Sequence, residues 1–221
     1  MASNALMITM TRTRVKICGF TQVDDAKIAS GLGVDAIGLV FYTPSPRNVD
    51  IKQALAISKA VSPFVTIVAL FVDPDRTFVD EVIKQVPIDL LQFHGDESAD
   101  FCESFSVPYI KAIRMHNEVD LNEIEQQYGH AKGILLDAWH PSEKGGTGER
   151  FDWSRIPAKF KLPIILAGGL TPENVGLAIE TSYPFAVDLS SGVEQSKGIK
   201  DHAKMAKLLT EVNKLECKNE L

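Results

Sequence analysis

Lys16-Ile17-Cys18-Gly19-Phe20-Thr21 puts a thiol where a short apolar run stops and an amphipathic segment begins. Side chains alternate across a strand with period two, so Lys16 and Cys18 share one face and Ile17 takes the other. Working outward, the same change of pattern recurs along the chain. Apolar runs over 15–18, 35–41, 65–72, 88–93, 109–113, 133–137, 163–167 and 185–189 are short, rich in β-branched residues and nearly continuous. Such runs suit parallel strands covered on the outside by helices. Between them, helical periodicity covers 22–32, 51–61, 76–85, 97–105, 118–127, 172–179 and 202–212. Asp50 and Asp75 stand where caps belong, and Thr171-Pro172 offers a hydroxyl cap followed by proline at the first helical position. The sixth pair is weakest, because 152–159 contains Pro157 and supplies little helix.

Eight strand and helix pairs without a linker predict one α/β domain, a closed (β/α)8 TIM barrel over 14–215. A doubly wound open sheet is the alternative. Residues 1–13 read as a flexible N-terminal extension, lacking the apolar core of a signal peptide, and 216–221 as a C-terminal tail. At 221 residues a chain buries about 70% of its unfolded surface, so the core needs no disulfide or metal. The net charge of −6, with Lys and Arg scattered, argues against a nucleic-acid surface, and no membrane partner is expected. Cys18, Cys102 and Cys217 are spaced for neither a disulfide framework nor a zinc site. That points to a reducing, cytoplasmic setting.

In a barrel the active residues sit at the C-terminal ends of the strands. Cys18, Arg47, His94, Arg114, Asp137, Gly168-Gly169 and Ser190-Ser191-Gly192 all fall at or just after such ends. An inward Lys16 below Cys18 would favour the thiolate and lower the thiol's pKa, making Cys18 a candidate base. A lone strand-end cysteine is more often a small buried hydrophobe, the reading given to Cys102 and Cys217. Leu135 and Asp137 share a face, so Asp137 tops an apolar ladder whose burial favours the protonated carboxyl that a general acid needs. A loop-capping role explains that residue equally well. The segments at Gly168-Gly169 and Ser190-Ser191-Gly192 follow strands seven and eight, where barrels bind phosphate on backbone amides. Arg47, stiffened by Pro44 and Pro46, could meet a carboxylate bidentately or lie solvated on the surface. Gln92 and His94 share a face near the mouth, though a satisfied structural histidine is the commoner case. Gly145-Gly146-Thr147-Gly148 fits no nucleotide fingerprint and reads as a cover over the mouth. No His/Asp/Glu cluster has ligand spacing, so no metal is expected.

Together these residues resemble the phosphoribosylanthranilate isomerase family of tryptophan biosynthesis. The resemblance rests on Lys16-Ile17-Cys18-Gly19, Gly38-Leu39-Val40-Phe41 with Ser45-Pro46-Arg47, Leu91-Gln92-Phe93-His94-Gly95, Leu136-Asp137-Ala138, Gly145-Gly146-Thr147-Gly148, Leu166-Ala167-Gly168-Gly169-Leu170 and Val187-Asp188-Leu189-Ser190-Ser191-Gly192-Val193-Glu194. It implies a cofactor-free Amadori rearrangement of a small phosphorylated substrate by a monomer or homodimer. In that family's pattern Cys18 is the base, Asp137 the acid and Arg47 the carboxylate anchor. Gly168, Gly169, Ser190, Ser191 and Gly192 then belong to the phosphate grip, and Asp188 is a mouth residue. Phe20 and Phe93 depart from positions often aliphatic. The nearest rival is a two-aspartate sugar-phosphate isomerase such as the ProFAR isomerase of histidine synthesis, against which Cys18 argues. A catalytically silent phosphate-binding scaffold is the rival of a different class.

Overall fold

The computed structural model describes residues 12–138, 153–157 and 160–218. Most of the expected N-terminal extension, the Gly145–Gly148 segment and the last residues of the expected tail lie outside the described residues. Eight parallel strands close into a barrel in sequence order: β1 (Arg14–Cys18), β2 (Ala36–Phe41), β3 (Thr66–Phe71), β4 (Leu90–Phe93), β5 (Tyr109–Met115), β6 (Ile134–Ala138), β7 (Ile164–Leu166) and β8 (Ala186–Leu189). Closure comes from β1 pairing with β8, where Lys16 lies opposite Asp188. The helices are α1 (Val23–Leu32), α2 (Ile51–Ala60), α3 (Arg76–Gln85), α4 (Ala99–Glu103), α5 (Leu121–Gln127), α6 (Val175–Ser182) and α7 (His202–Lys218). The closed barrel settles the choice against an open sheet.

Strand alternation divides the apolar side chains between two places. Ile17, Ile37, Leu39, Phe71, Leu91, Phe93 and Leu136 point outward into the main core beneath the helices. There Phe41 stacks on Phe71 at 5.4 Å, and Phe93 meets Phe101 edge-on at 5.7 Å. Each such ring contributes roughly 1.5–3 kcal/mol through burial. The interior holds two smaller clusters, one around Ile110, Leu135, Ile165 and Ala186 and one of Cys18, Val40 and Leu70. The second includes the candidate base, so the thiol is packed as well as presented.

Several helix boundaries differ from the sequence reading, each for a local reason. Asp50 caps α2 as expected, accepting from Gln53 N at 2.7 Å, while Asp75 precedes α3 without a side-chain cap bond. Residues 171–174 form a turn rather than the start of α6. Asn174 Oδ1 accepts from Thr171 N at 2.9 Å, and Thr171 Oγ1 accepts from Glu173 N at 3.2 Å. Such local side-chain bonds compete with the helix. α4 begins late, at Ala99, where the Ser98 hydroxyl caps it by accepting from Phe101 N, and Glu97 is buried. α7 runs beyond 212 to Lys218. In the sixth unit a 3-10 turn at Trp153–Arg155 stands where a weak helix was expected. After β8 the chain adds a 3-10 turn at Ser191–Val193 and a small hairpin of β9 (Glu194–Ser196) and β10 (Ile199–Lys200), which the sequence reading had not anticipated.

Glu97 and Lys111 form a buried ion pair at 3.2 Å beneath the loop after β4. Glu97 accepts from Gly95 N and Asp73 N, and Lys111 Nζ donates to Gly95 O at 2.7 Å. Breaking a buried pair on one side strands a charge and costs about 3–5 kcal/mol. Glu97→Ala is therefore expected to lower the denaturation midpoint sharply, and adding Lys111→Met to restore part of it. Equal loss in single and double variants, measured by urea unfolding, would contradict this coupling.

Candidate active site

At the end of β1, Cys18 is 6% exposed and faces a cavity of about 430 Å3 at the C-terminal mouth of the barrel. The thiol has room only because its neighbour across the ladder, on β2, is Gly38. A Cβ there would stand 2.5 Å from Cys18 Sγ. Lys16 does turn inward, one layer below, and its Nζ donates to Asp188 Oδ2 at 2.9 Å. Burial opposes the Lys16 charge, but Asp188 and Cys18 hold its ammonium above the ordinary lysine value. The expected lowering of the thiol does not follow. Burial pushes the Cys18 thiol up, outweighing the downward pull of Lys16 and Lys200, and Asp188 adds to the rise. A desolvated thiolate is the costlier form.

Asp137, at the end of β6, lies on the same cavity. Its Oδ2 is 3.1 Å from His94 Nε2, and His94 Nδ1 is 3.0 Å from Gln92 Nε2. Both residues of that face of β4 therefore line the mouth, and His94 is also fully partnered. Arg114 does not line the cavity; its Nη2 donates to His94 O at 2.9 Å and fixes the loop from behind. Asp188 lines the cavity too, with Oδ1 buried and lacking a hydrogen-bond partner among the described residues.

Gly168 and Gly169, after β7, and Ser190 and Ser191, after β8, form the adjoining rim. Gly168 has φ +83°, and a Cβ on it would collide with Ala138 N. The β7 loop can thus lie flat against the end of β6 only with glycine at this position. Asn174 Nδ2 donates to Gly169 O at 2.9 Å and steadies the loop. Gly192 is not on the cavity wall. A Cβ there would strike Leu170 O, so this glycine brings the β8 loop against the β7 loop.

Arg47 reaches the cavity edge from the loop after β2, but its fork already grips a carboxylate of the chain. Nε and Nη2 donate to Glu194 Oε1 and Oε2 at 2.8 and 2.7 Å. Lys200 completes the cluster, with Nζ donating to Glu194 Oε1 at 2.9 Å and to Cys18 O at 2.6 Å. Despite burial, Arg47 and Lys200 hold the Glu194 carboxyl below the usual carboxylate range. Arg47 and Lys200 thus share the Glu194 carboxylate behind the rim. The sequence reading quoted Glu194 without a role and missed Lys200 altogether. Among the described residues no group of three or more His, Cys, Asp or Glu is arranged to hold a metal ion.

Residues 15–211 match the sequence model of the family described as N-(5'phosphoribosyl)anthranilate (PRA) isomerase. The N-(5'-phosphoribosyl)anthranilate isomerase of Pseudomonas fluorescens (strain SBW25) is 56% identical over 196 residues, 89% of this chain and 93% of the relative. Among solved structures, phosphoribosyl anthranilate isomerase from Thermotoga maritima aligns with a TM-score of 0.84 at 36% identity, covering 91% of this chain and 99% of its own. A phosphoribosyl anthranilate isomerase solved in complex with reduced 1-(o-carboxyphenylamino)-1-deoxyribulose 5-phosphate aligns with a TM-score of 0.78 at 34% identity, with the same coverage. By the family model and by its identity to these relatives, the chain belongs to the N-(5'-phosphoribosyl)anthranilate isomerase family.

Proposed function

We propose that this chain carries out the Amadori rearrangement of N-(5-phosphoribosyl)anthranilate to 1-(2-carboxyphenylamino)-1-deoxyribulose 5-phosphate in tryptophan biosynthesis, with Asp137 as general acid and Cys18 as general base. The observation that carries the reading is that a packed thiol and a carboxyl from strands one and six face one cavity, beside two glycine- and serine-rich loops. Asp137 gives a proton to the ribose ring oxygen as the C1–O bond breaks and the nitrogen lone pair forms a protonated imine. Cys18 then takes the proton from C2, and the C–H electron pair flows toward the imine nitrogen to give an enolamine. Moving the O2 proton to solvent and adding one at C1 completes the ketone.

A thiol held up by burial suits this order of events. Burial favours the protonated thiol in the free site; ring opening creates a cationic imine that favours the thiolate beside it, and the thiol proton leaves to solvent before Cys18 takes the one from C2. The phosphate falls to the loops at Gly168-Gly169 and Ser190-Ser191, with Gly192 supporting them. Asp188 faces the sugar hydroxyls with its unpartnered oxygen, and Arg47 orients the anthranilate carboxylate from the cavity edge. The setting that goes with this role is a cytoplasmic enzyme without nucleic-acid or membrane partners, acting as a monomer or homodimer. A related Thermotoga maritima structure is described as monomers made from a dimeric enzyme, and sedimentation measures which state this chain adopts.

Cys18→Ala and Asp137→Ala are each expected to lower kcat by about 10²–10⁴-fold while leaving the affinity for a reduced product analogue unchanged; near-normal turnover of in-situ generated substrate removes that residue from the chemistry. Arg47→Ala should raise KM more than it lowers kcat, and Arg47→Lys should not restore it, because an ammonium cannot hold Glu194 at two points and also reach the cavity edge. An unchanged KM contradicts the anchoring role. Alkylation of Cys18 in the free protein should keep accelerating with pH past the ordinary thiol range. Asp188→Asn removes an anion that pushes the thiol up, so it shifts this profile to lower pH. Lys16→Met removes a cation that pulls it down and shifts it to higher pH. A profile already flat near neutrality contradicts the sign of the shift.

A further inference from the structure

Gln92 is fully buried, yet only one end of its amide has a partner. Nε2 lies 3.0 Å from His94 Nδ1, while Oε1 is buried with no hydrogen-bond partner among the described residues. An amide NH2 can only donate, so Nδ1 accepts and the neutral ring carries its hydrogen on Nε2. That hydrogen is directed at Asp137 Oδ2, 3.1 Å away. The backbone of His94 is pinned as well. His94 N donates to Phe71 O at 2.8 Å, and His94 O accepts from Arg114. A ring from the loop after β4 is thereby fixed against the carboxyl of β6.

This arrangement matches Asp137 as an anion, the state of an acid that has already given up its proton. To act, the acid must begin protonated. A proton on Oδ2 needs the Nε2 lone pair as its acceptor, which moves the ring hydrogen to Nδ1. Nδ1–H in turn needs an acceptor from Gln92. Half a turn of the amide supplies it, bringing forward Oε1, the atom that now has no partner. One buried glutamine can therefore satisfy the ring in both protonation states of the pair.

We propose that His94 is the proton partner of Asp137, reloading the acid between turnovers, and that Gln92 sets which ring nitrogen bears the hydrogen. This rests on Asp137 being the general acid. In the loaded pair an imidazolium donates Nδ1–H to Gln92 Oε1 and Nε2–H to the carboxylate. Moving one proton across the Nε2···Oδ2 contact gives a neutral ring and a protonated Asp137. That proton goes to the ribose ring oxygen, whose bond to C1 breaks and whose electron pair receives it. A solvent proton then returns through the ring, which is more exposed than the carboxyl, 13% against 8%. Among the described residues, the charged groups facing the ring are Asp137 on β6 and Asp188 on β8 with its partner Lys16 on β1, while Arg114 on β5 holds the backbone of the His94 loop and approaches Asp96 at 4.0 Å. His94 is thus a positioning and proton-relaying residue that acts through Asp137.

The test combines kinetics with ring nitrogen NMR on the full chain. His94→Gln should lower kcat by about 10- to 100-fold, a part of the ~10²–10⁴ that general acid catalysis contributes. It should also move the acidic limb of the kcat profile and leave product-analogue affinity unchanged. Gln92→Leu should show a smaller loss in the same direction. In the unsubstituted chain, which needs no refolded variant, the 15N spectrum should show the Nε2–H tautomer at high pH and both nitrogens protonated as pH falls. Asp137→Asn should alter that titration. An inactive Asp137→Ala together with a His94→Gln enzyme of normal kcat and pH profile overturns the relay while sparing the acid. Nδ1–H throughout the titration overturns it too. Turnover surviving in Asp137→Ala would instead overturn the acid assignment itself.

Discussion

The site depends most on the donation from Lys200 Nζ to the carbonyl oxygen of Cys18, at 2.6 Å. The same ammonium binds Glu194, which holds the fork of Arg47, and it lies 3.4 Å from Ser190 O. One buried cation thus ties together the end of β1, the loop after β2 and the loop after β8. Lys200 is itself fixed from outside, since its backbone N–H donates to Asp25 of α1 at 2.8 Å. A buried charge is tolerable only when paired and hydrogen-bonded, and here three acceptors surround the ammonium. The cost of burying it is offset by these bonds, which couple the positions of Cys18, Arg47 and the β8 rim. The hairpin of β9 and β10 exists, in physical terms, to return the chain to this point.

Charge is distributed around the mouth so that a net-negative protein can take an anionic ligand. Lys16 is matched by Asp188, and Lys111 by Glu97, so neither adds free charge. Behind the rim, Arg47 and Lys200 share the carboxylate of Glu194. Helix-terminal and loop amides can act in the same place without bulk charge. Burial works on the Cys18 thiol in the opposite sense, favouring its neutral form. On the proposed mechanism, the cationic intermediate then helps to turn on the base.

The barrel was legible because each strand carries its own signal, a short β-branched run ending where the helical period begins. Cys18, Asp137, Arg47 and the two loops after β7 and β8 were legible for a related reason, as polar or glycine-rich residues at strand ends. What stayed hidden has no local signature. Glu194 and Arg47 are 147 residues apart, and Lys200 and Cys18 are 182 apart, so no periodicity reveals that they meet. Glu97 looked like the first turn of a helix, whereas it caps backbone N–H groups beneath the loop of His94. Thr171-Pro172 looked like a helix start until Asn174 closed a turn on it. The electrostatic misreading had a similar source. Lys16 was correctly turned toward the thiol, but a sequence does not show how completely both are desolvated.

The central claim is that Cys18 moves the C2 hydrogen as a proton, and substrate deuterated at ribose C2 tests it most directly. In a single turnover in ordinary water, the account predicts slower decay than with protonated substrate, loss of the deuterium to solvent, and product with hydrogen at C1. Deuterium carried quantitatively from C2 to C1, at a rate that Cys18→Ala does not change, would contradict it.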